Sequence, residues 1–199
     1  DPNTGPVLQV DDGGSKIEVR FDPSIMQLFK EVRNISWLIP SARIPYMIKA
    51  SAREAKHQYP RAMSLQAALR AYERTQEKID RSVAPLLAGR VKEIMQQIGL
   101  FFEKQVVWEG DAEALQNRVL KLHDSVIDFQ DKVEELLVIN KEIVIAQAKL
   151  EHCAFDGVAF QAILADMQQN IDKLNLAGFS NLQTWVETLD KAVATMLAQ

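Results

Sequence analysis

The sequence predicts an all-α protein, an elongated stack of helical bundles that share long helices, preceded by a short β-hairpin. Three observations predict it. The chain holds only eight glycines and seven prolines in 199 residues, so few turns are available and the elements between them must be long. Apolar residues recur at alternating steps of three and four through two long stretches, which places them on one face of a helix. Read as single helices, residues 61–107 would span roughly 70 Å and residues 112–150 roughly 58 Å, whereas a compact chain of this length is only ~42 Å across.

Residues 7–21 read VLQV, DDGG and SKIEVRF. Leu8 and Val10 alternate on one strand and Ile17, Val19 and Phe21 on the next, with Asp12-Gly13 suited to the positive φ angles of a tight turn. An isolated pair of strands is marginal in water, so the hairpin should lie against helices or join a larger sheet. Asp22-Pro23 starts a helix, the carboxylate capping free N–H groups and the proline losing no bond at the first position. That helix runs to about Trp37. Pro40 and Pro45 bracket a turn, and a short helix from Tyr46 to Gln58 should end at Pro60.

From Arg61 the seam Leu65, Leu69, Tyr72, Gln76, Ile79, Val83, Leu86 predicts one continuous helix to about Trp108, kinked at Pro85. Gly110-Asp111 marks a turn. Leu115, Val119, Leu122, Val126, Phe129, Val133, Leu136, Asn140, Ile143, Gln147 and Leu150 then form a heptad seam. Its polar positions, Asn140 and Gln147, either specify register or mark where the partner helix ends and water begins. After Asp156-Gly157, a helix from Val158 to Leu176 presents Phe160, Ile163, Leu164, Met167, Ile171 and Leu174. Gly178 ends it, and Ser180 or Asn181 caps a last helix with Leu182, Trp185, Leu189, Val193 and Met196 inward. The expected organisation is a loop and hairpin over 1–22 and two bundle segments, 23–109 and 110–199.

The composition narrows function by exclusion. Twenty-three Lys and Arg against twenty-seven Asp and Glu give a net charge of −4, with both signs interspersed, which argues against nucleic acid or an anionic membrane as partner. No apolar run approaches the ~20 residues of a membrane span. The N-terminus lacks the basic region and apolar core of a secretory signal. One cysteine, Cys153, excludes an internal disulfide or multi-cysteine zinc site, and the simplest location is the cytosol. An Asp at the start and a mid-helix pattern at the end suggest a piece of a longer chain.

Catalytic motifs are missing. The glycine positions provide no phosphate loop and no dinucleotide fingerprint, and neither G-x-S-x-G nor H-E-x-x-H occurs. His152 and Cys153 are adjacent, so on a helix they diverge by about 100° and do not pair; the thiol reads as a buried core group. No Glu stands three residues before His57, His123 or His152, as a bundle di-metal site requires. Trp37, Trp108 and Trp185 lie in or beside apolar stripes and read as core anchors. The segment is expected to be neither an enzyme nor a cofactor binder.

KEVRNISWL (30–38) followed by Ile44-Pro45, YERTQEKI (72–79), FQDKVEELL (129–137), LEHCAFD (150–156) and FSNLQTWVETLD (179–190) resemble, in the same order, segments of the N-terminal tail of dynein heavy chains. The resemblance covers Lys16 to Gln199, and the Trp37-Leu38 pair and the YERT block are closer to the cytoplasmic than to the axonemal branch. One departure is visible: IPSARIP (39–45) is longer than the family's turn and lacks its glycine, while residues 1–15 resemble a variable loop. The resemblance implies a non-catalytic part of a microtubule motor, cytoplasmic and cytoskeletal, whose ATPase ring lies far downstream. It implies a structural rod and docking scaffold for the intermediate chain, through its propeller, and the light intermediate chain. A second heavy chain and the dynactin and adaptor machinery complete the implied partners. Asp22, Pro23, Trp37, Leu38, Pro45, Tyr72, Phe129 and Trp185 are the expected structural anchors. The alternative reading is another cytosolic helical scaffold such as a spectrin-like spacer or tethering protein; a repeat of constant length would favour it, and none is present.

Overall fold

The computed structural model describes residues 5–11, 16–22, 24–103, 106–108, 110–153 and 157–197, the side chains of 196 and 197 excepted. The Asp12-Gly13 turn, Pro23 and Asp156 lie outside the described residues. Among those described are six α-helices and a two-stranded antiparallel sheet: β1 (Leu8–Val10), β2 (Ile17–Val19), α1 (Ser24–Leu38), α2 (Tyr46–Gln76), α3 (Ala88–Gly99), α4 (Ala112–Glu151), α5 (Gly157–Leu176) and α6 (Leu182–Leu197). Short 3-10 turns cover Ala84–Leu87 and Leu100–Phe102. The chain packs as two compact units, residues 1–73 with 94–126, and residues 74–93 with 127–199.

In the first unit the hairpin forms in the expected place. Leu8 pairs with Val19 and Val10 with Ile17. Beyond them the Asp11 N–H donates to the Lys16 carbonyl at 2.9 Å and the Lys16 N–H to Asp11 Oδ1 at 2.8 Å, closing the ladder. The buried residues are Val7 and Leu8, not Leu8 and Val10, which is 50% exposed. The reason is a third backbone segment: the Val7 N–H donates to the Val106 carbonyl at 3.2 Å, so the strand is covered at its start and open at its tip. The hairpin's marginal stability is thereby supplemented from a segment some hundred residues away.

Asp22 begins α1 by accepting the Ser24 N–H at 2.8 Å. Asp111 begins α4 in the same way, accepting the Glu113 and Ala114 N–H groups at 3.0 Å each. α2 departs from expectation, because Pro60 lies inside it instead of ending it. A proline removes one i→i−4 bond, yet Pro60 sits on the exposed side, where a freed carbonyl is solvated at little cost. The buried track Ala52, Ala55, Gln58, Ala62, Leu65, Leu69, Tyr72 passes straight through it. Replacing Pro60 by alanine is expected to stabilise the fold by about 2 kcal/mol, the interior helix penalty less the unfolded-state entropy that proline removes. Urea melts of the two forms, with unchanged slope, would register it as a higher midpoint.

The single helix expected from Arg61 to Trp108 is also corrected: α2 stops at Gln76, and a turn and a 3-10 segment precede α3. Asp80 Oδ1 accepts the Ser82 N–H at 2.8 Å, and the Asp80 carbonyl accepts from Val83 and Ala84 at 3.1 Å each. Pro85 then occupies the first turn of the 3-10 segment, where no N–H is needed. An aspartate that closes a turn through its side chain and its carbonyl, followed by a proline at the start of the 3-10 segment, interrupts the helix and overrides the apolar period that crosses it. Val83 and Leu86 are buried as the seam implies, but Gln76 is exposed and Ile79 half-buried.

Both capping carboxyls are held below the ordinary 3.8, Asp22 by the Ser24 hydroxyl and then its N–H, Asp80 by the Ser82 N–H and then its hydroxyl. A folded-state pKa below the unfolded one adds stability that is present above the unfolded value and lost as pH falls through the folded one. Stability is therefore expected to fall as pH drops through and below the ordinary carboxylate value of 3.8. A D22N/D80N variant, whose amides still cap without titrating, should lose less over that drop in urea melts at stepped pH.

α4, whose residues up to Val126 belong to the first unit and the rest to the second, carries the longest seam, and nine of its eleven expected positions are buried. Asn140 and Gln147 are half-buried instead, and their places are taken by Ile139 and Ala146, one residue earlier. After Leu136 the buried positions step by three to Ile139 and continue through Ile143, Ala146 and Leu150, so the covered face rotates away from the heptad line at this point. α5 buries Met167, Asn170 and Leu174, the Asn170 side chain accepting from Lys173 Nζ at 2.9 Å. Gly178 ends α5 at φ +72°, the left-handed conformation glycine adopts freely. Asn181 takes φ 53° and donates through Nδ2 to the Pro85 carbonyl at 3.0 Å, while the Ser180 N–H donates to the Leu86 carbonyl at 2.9 Å. Gly89 permits this approach, since a Cβ there would come 2.5 Å from Ser180 Oγ. An Arg90–Asp128 ion pair joins α3 to α4 within the same unit.

Candidate docking surfaces

The residues that could carry chemistry do not converge. His57, His123 and His152 are exposed, and no cluster of three metal-ligating side chains exists among the described residues. Cys153 is half-buried just beyond α4, where it was expected to be buried: its neighbours in the chain are the helix end, which provides fewer packing partners than mid-helix. The carboxyls with resolved shifts, Asp22 and Asp80, are caps on exposed turns. Perturbed groups of that kind serve structure rather than proton transfer.

What the second unit does form is a cleft of about 650 Å³. Its floor is α4, through Asn140, Ile143 and Gln147; one wall is α6, through Trp185 and Leu189; the other is Ser82 and Pro85 at the start of the 3-10 turn. Trp185 is fixed in that wall by an Nε1–H bond to the Ser82 carbonyl at 2.9 Å. The expected inward face of α6 is only half-buried: Leu182, Trp185, Leu189 and Val193 all retain exposure, and the Met196 side chain lies outside the described residues. Asn140 and Gln147 are thus polar because they face an open cleft, the second of the two readings their sequence pattern allowed. A largely apolar trough with a few polar groups, open along its length, suits a protein segment better than an enclosed small ligand.

The remaining expected anchors are dispersed. Asp22 caps α1; Pro23 is outside the described residues; the Pro45 carbonyl accepts the Lys49 N–H at 3.2 Å, setting the first turn of α2. Tyr72 (5% exposed) and Phe129 (0%) are buried in their helices. Trp37 and Leu38 are not core residues: they are 79% and 67% exposed, because α1 buries no residue and no described element covers its last turn. Sequence reasoning passed over Asp80, although D-x-S ahead of a proline is a start signal, and it named Asn181 as a possible helix cap but not as a clamp on the Pro85 carbonyl.

Residues 3–111 match the family model described as "Dynein heavy chain, N-terminal region 1". The chain belongs to the dynein heavy-chain family. This dynein segment is 36% identical over 198 residues, 98% of its length, to the cytoplasmic dynein heavy chain of Dictyostelium discoideum. It is 38% identical over 189 residues (92% of its length) to that of Drosophila melanogaster and 34% over 184 residues (92%) to that of Paramecium tetraurelia. The segment spans about 4% of the length of each of these relatives. Membership in the family removes the spectrin-like alternative. The dynein segment has no helix, among its described residues, long and apolar enough to cross a membrane.

Proposed function

We propose that this segment is a non-catalytic tail piece of a cytoplasmic dynein heavy chain that serves as a docking scaffold in a microtubule motor, taking the intermediate chain and the light intermediate chain. The observation that carries the reading is the open cleft of the second unit, whose α6 wall keeps an apolar face half-exposed in a chain of this family. The homodimeric partner heavy chain and the dynactin and adaptor assembly belong to the same reading, as does a cytoplasmic, microtubule-associated location. Nothing in the charge balance calls for nucleic acid, and no membrane insertion is required.

Size-exclusion chromatography with light scattering tests it directly. The segment is mixed with an intermediate-chain propeller, and separately with a light intermediate chain. Co-elution is expected with at least one, and L189R, which puts a charge into the cleft, should abolish it while the helical circular dichroism persists. A folded segment that co-elutes with neither chain would make it a spacer and end the docking reading.

A further inference from the structure

The corner where α1 turns into α2 is built like a covered surface, and no described element covers it. α1 and α2 follow one another around this corner, and Lys56 Nζ of α2 lies 5.8 Å from the centre of the Phe29 ring of α1. Ile25, Met26, Leu28, Phe29 and Val32 are half-buried there, but every residue from Arg33 to Ser41 is exposed. At the turn, Trp37 (79%), Leu38 (67%), Ile39 (54%), Tyr46 (78%) and Met47 (72%) face water together. The two aromatic rings alone expose about 300 Å². Single exposed apolar residues need no explanation, whereas five large ones within residues 37–47 point to an interaction site.

Charge selects the occupant. Residues 33–53 contain Arg33, Arg43, Lys49 and Arg53 and no carboxylate, in a chain whose net charge is −4. Among the described residues none of the four joins an ion pair. An apolar centre with a cationic rim fits an amphipathic helix whose apolar face is flanked by Asp and Glu. A second copy of this corner would oppose the same four cations in a two-fold contact and is disfavoured by repulsion. The segment spans about 4% of its relatives, so almost all of the heavy chain is available to supply such a helix in cis, at the effective concentrations tethering provides.

We propose that the α1–α2 corner seats an acidic amphipathic helix from another part of the same heavy chain. The inference rests on family membership alone and stands or falls independently of accessory-chain docking at the cleft of the second unit. Hydroxyl-radical footprinting read by mass spectrometry tests it on the intact heavy chain, before and after its accessory chains are stripped by salt, with the unfolded heavy chain as the reference. Trp37 and Met47 are both readily oxidised, and Trp108, 1% exposed, is the internal standard for a closed site. Expected is protection of Trp37 and Met47 as strong as that of Trp108, roughly fivefold or more below the unfolded rate, retained after stripping. R33E/R43E should raise oxidation at Trp37 and Met47 and leave Trp108 protected. The proposal is overturned if the two residues oxidise at the unfolded rate in the native chain, or if stripping exposes them, which would make the cover a separate polypeptide. Protection that disappears on dilution would point to a second copy, and protection that needs vesicles of phosphatidylserine and phosphatidylcholine to a membrane; either overturns it. A charge-reversed variant as protected as the wild type refutes the acidic helix.

Discussion

Trp108→Ala is expected to destabilise the first unit by about 3–5 kcal/mol, the range for truncating a large buried aromatic. Trp108 is 1% exposed. Its indole stands edge-on to Phe21, with ring centres 5.5 Å apart and an interplanar angle of 78°, and Phe21 in turn lies 6.1 Å from Tyr59. Its Nε1–H donates to the Arg20 carbonyl at 2.6 Å. Trp108 thus ties the segment before α4 to the end of the hairpin, and Phe21 carries the contact on to Tyr59 of α2. Truncation removes the packing and also leaves the Arg20 carbonyl without that donor, a separate cost of about 1–3 kcal/mol if the carbonyl stays shielded. Trp108→Phe should fall between alanine and wild type, since it fills most of the space but cannot donate. Urea melts followed by circular dichroism would measure both. A loss under about 1 kcal/mol for alanine would mean that the hairpin is held by its own ladder and that this cluster contributes little.

Phe129→Ala should have a comparable effect in the second unit, about 3–5 kcal/mol. Phe129 is 0% exposed on the seam of α4, between Val126 and Val133, which are 1% exposed each. A buried ring flanked by buried valines has close neighbours that cannot all collapse into the space it vacates, so the transfer loss and the cavity term add. Val138→Ala on the same helix is the control: Val138 is 65% exposed, and a surface change of that kind stays within about 0.5 kcal/mol. Equal effects from the two substitutions would show that α4 is not packed along the face that its apolar periodicity marks.

Much of this fold is legible because its causes are local. α4, α5 and α6 lie within a residue or two of where periodicity and caps put them, and the hairpin occupies the two alternating runs at the start. The errors are of two kinds: an apolar period carried across a local start signal or past a change of covered face, and a local breaker weighted above a continuous buried face. The seam through Leu65 and Leu86 crosses the turn closed by Asp80 and the Pro85 that opens the 3-10 segment, and a new element begins there. Pro60 carried the opposite error: a breaker on a solvated face does not break a helix whose buried side is continuous. In α4 the covered face rotates after Leu136, so Ile139 and Ala146 are buried where Asn140 and Gln147 were expected, and those two line the cleft.

The candidate surfaces were less legible than the helices. Three tryptophans sit in similar apolar stripes, yet Trp108 is 1% exposed, Trp37 is 79% exposed and Trp185 is half-buried in a cleft wall. The stripe is the same in each case, but what arrives opposite it differs. Trp108 is met by Arg20 and Phe21 from 88 residues away, Trp185 by the turn at Ser82 from 103 residues away, and Trp37 by no described element. The sequence by itself determined the helical class, the hairpin, most helix ends and the absence of the common catalytic motifs, since these depend on side-chain period, capping groups and residue spacing along the chain. Only the tertiary structure decided which apolar faces are closed, which stretches share a compact unit and where the open cleft and the bare corner lie. Burial is a property of two surfaces, and either one alone carries no record of whether the other reaches it.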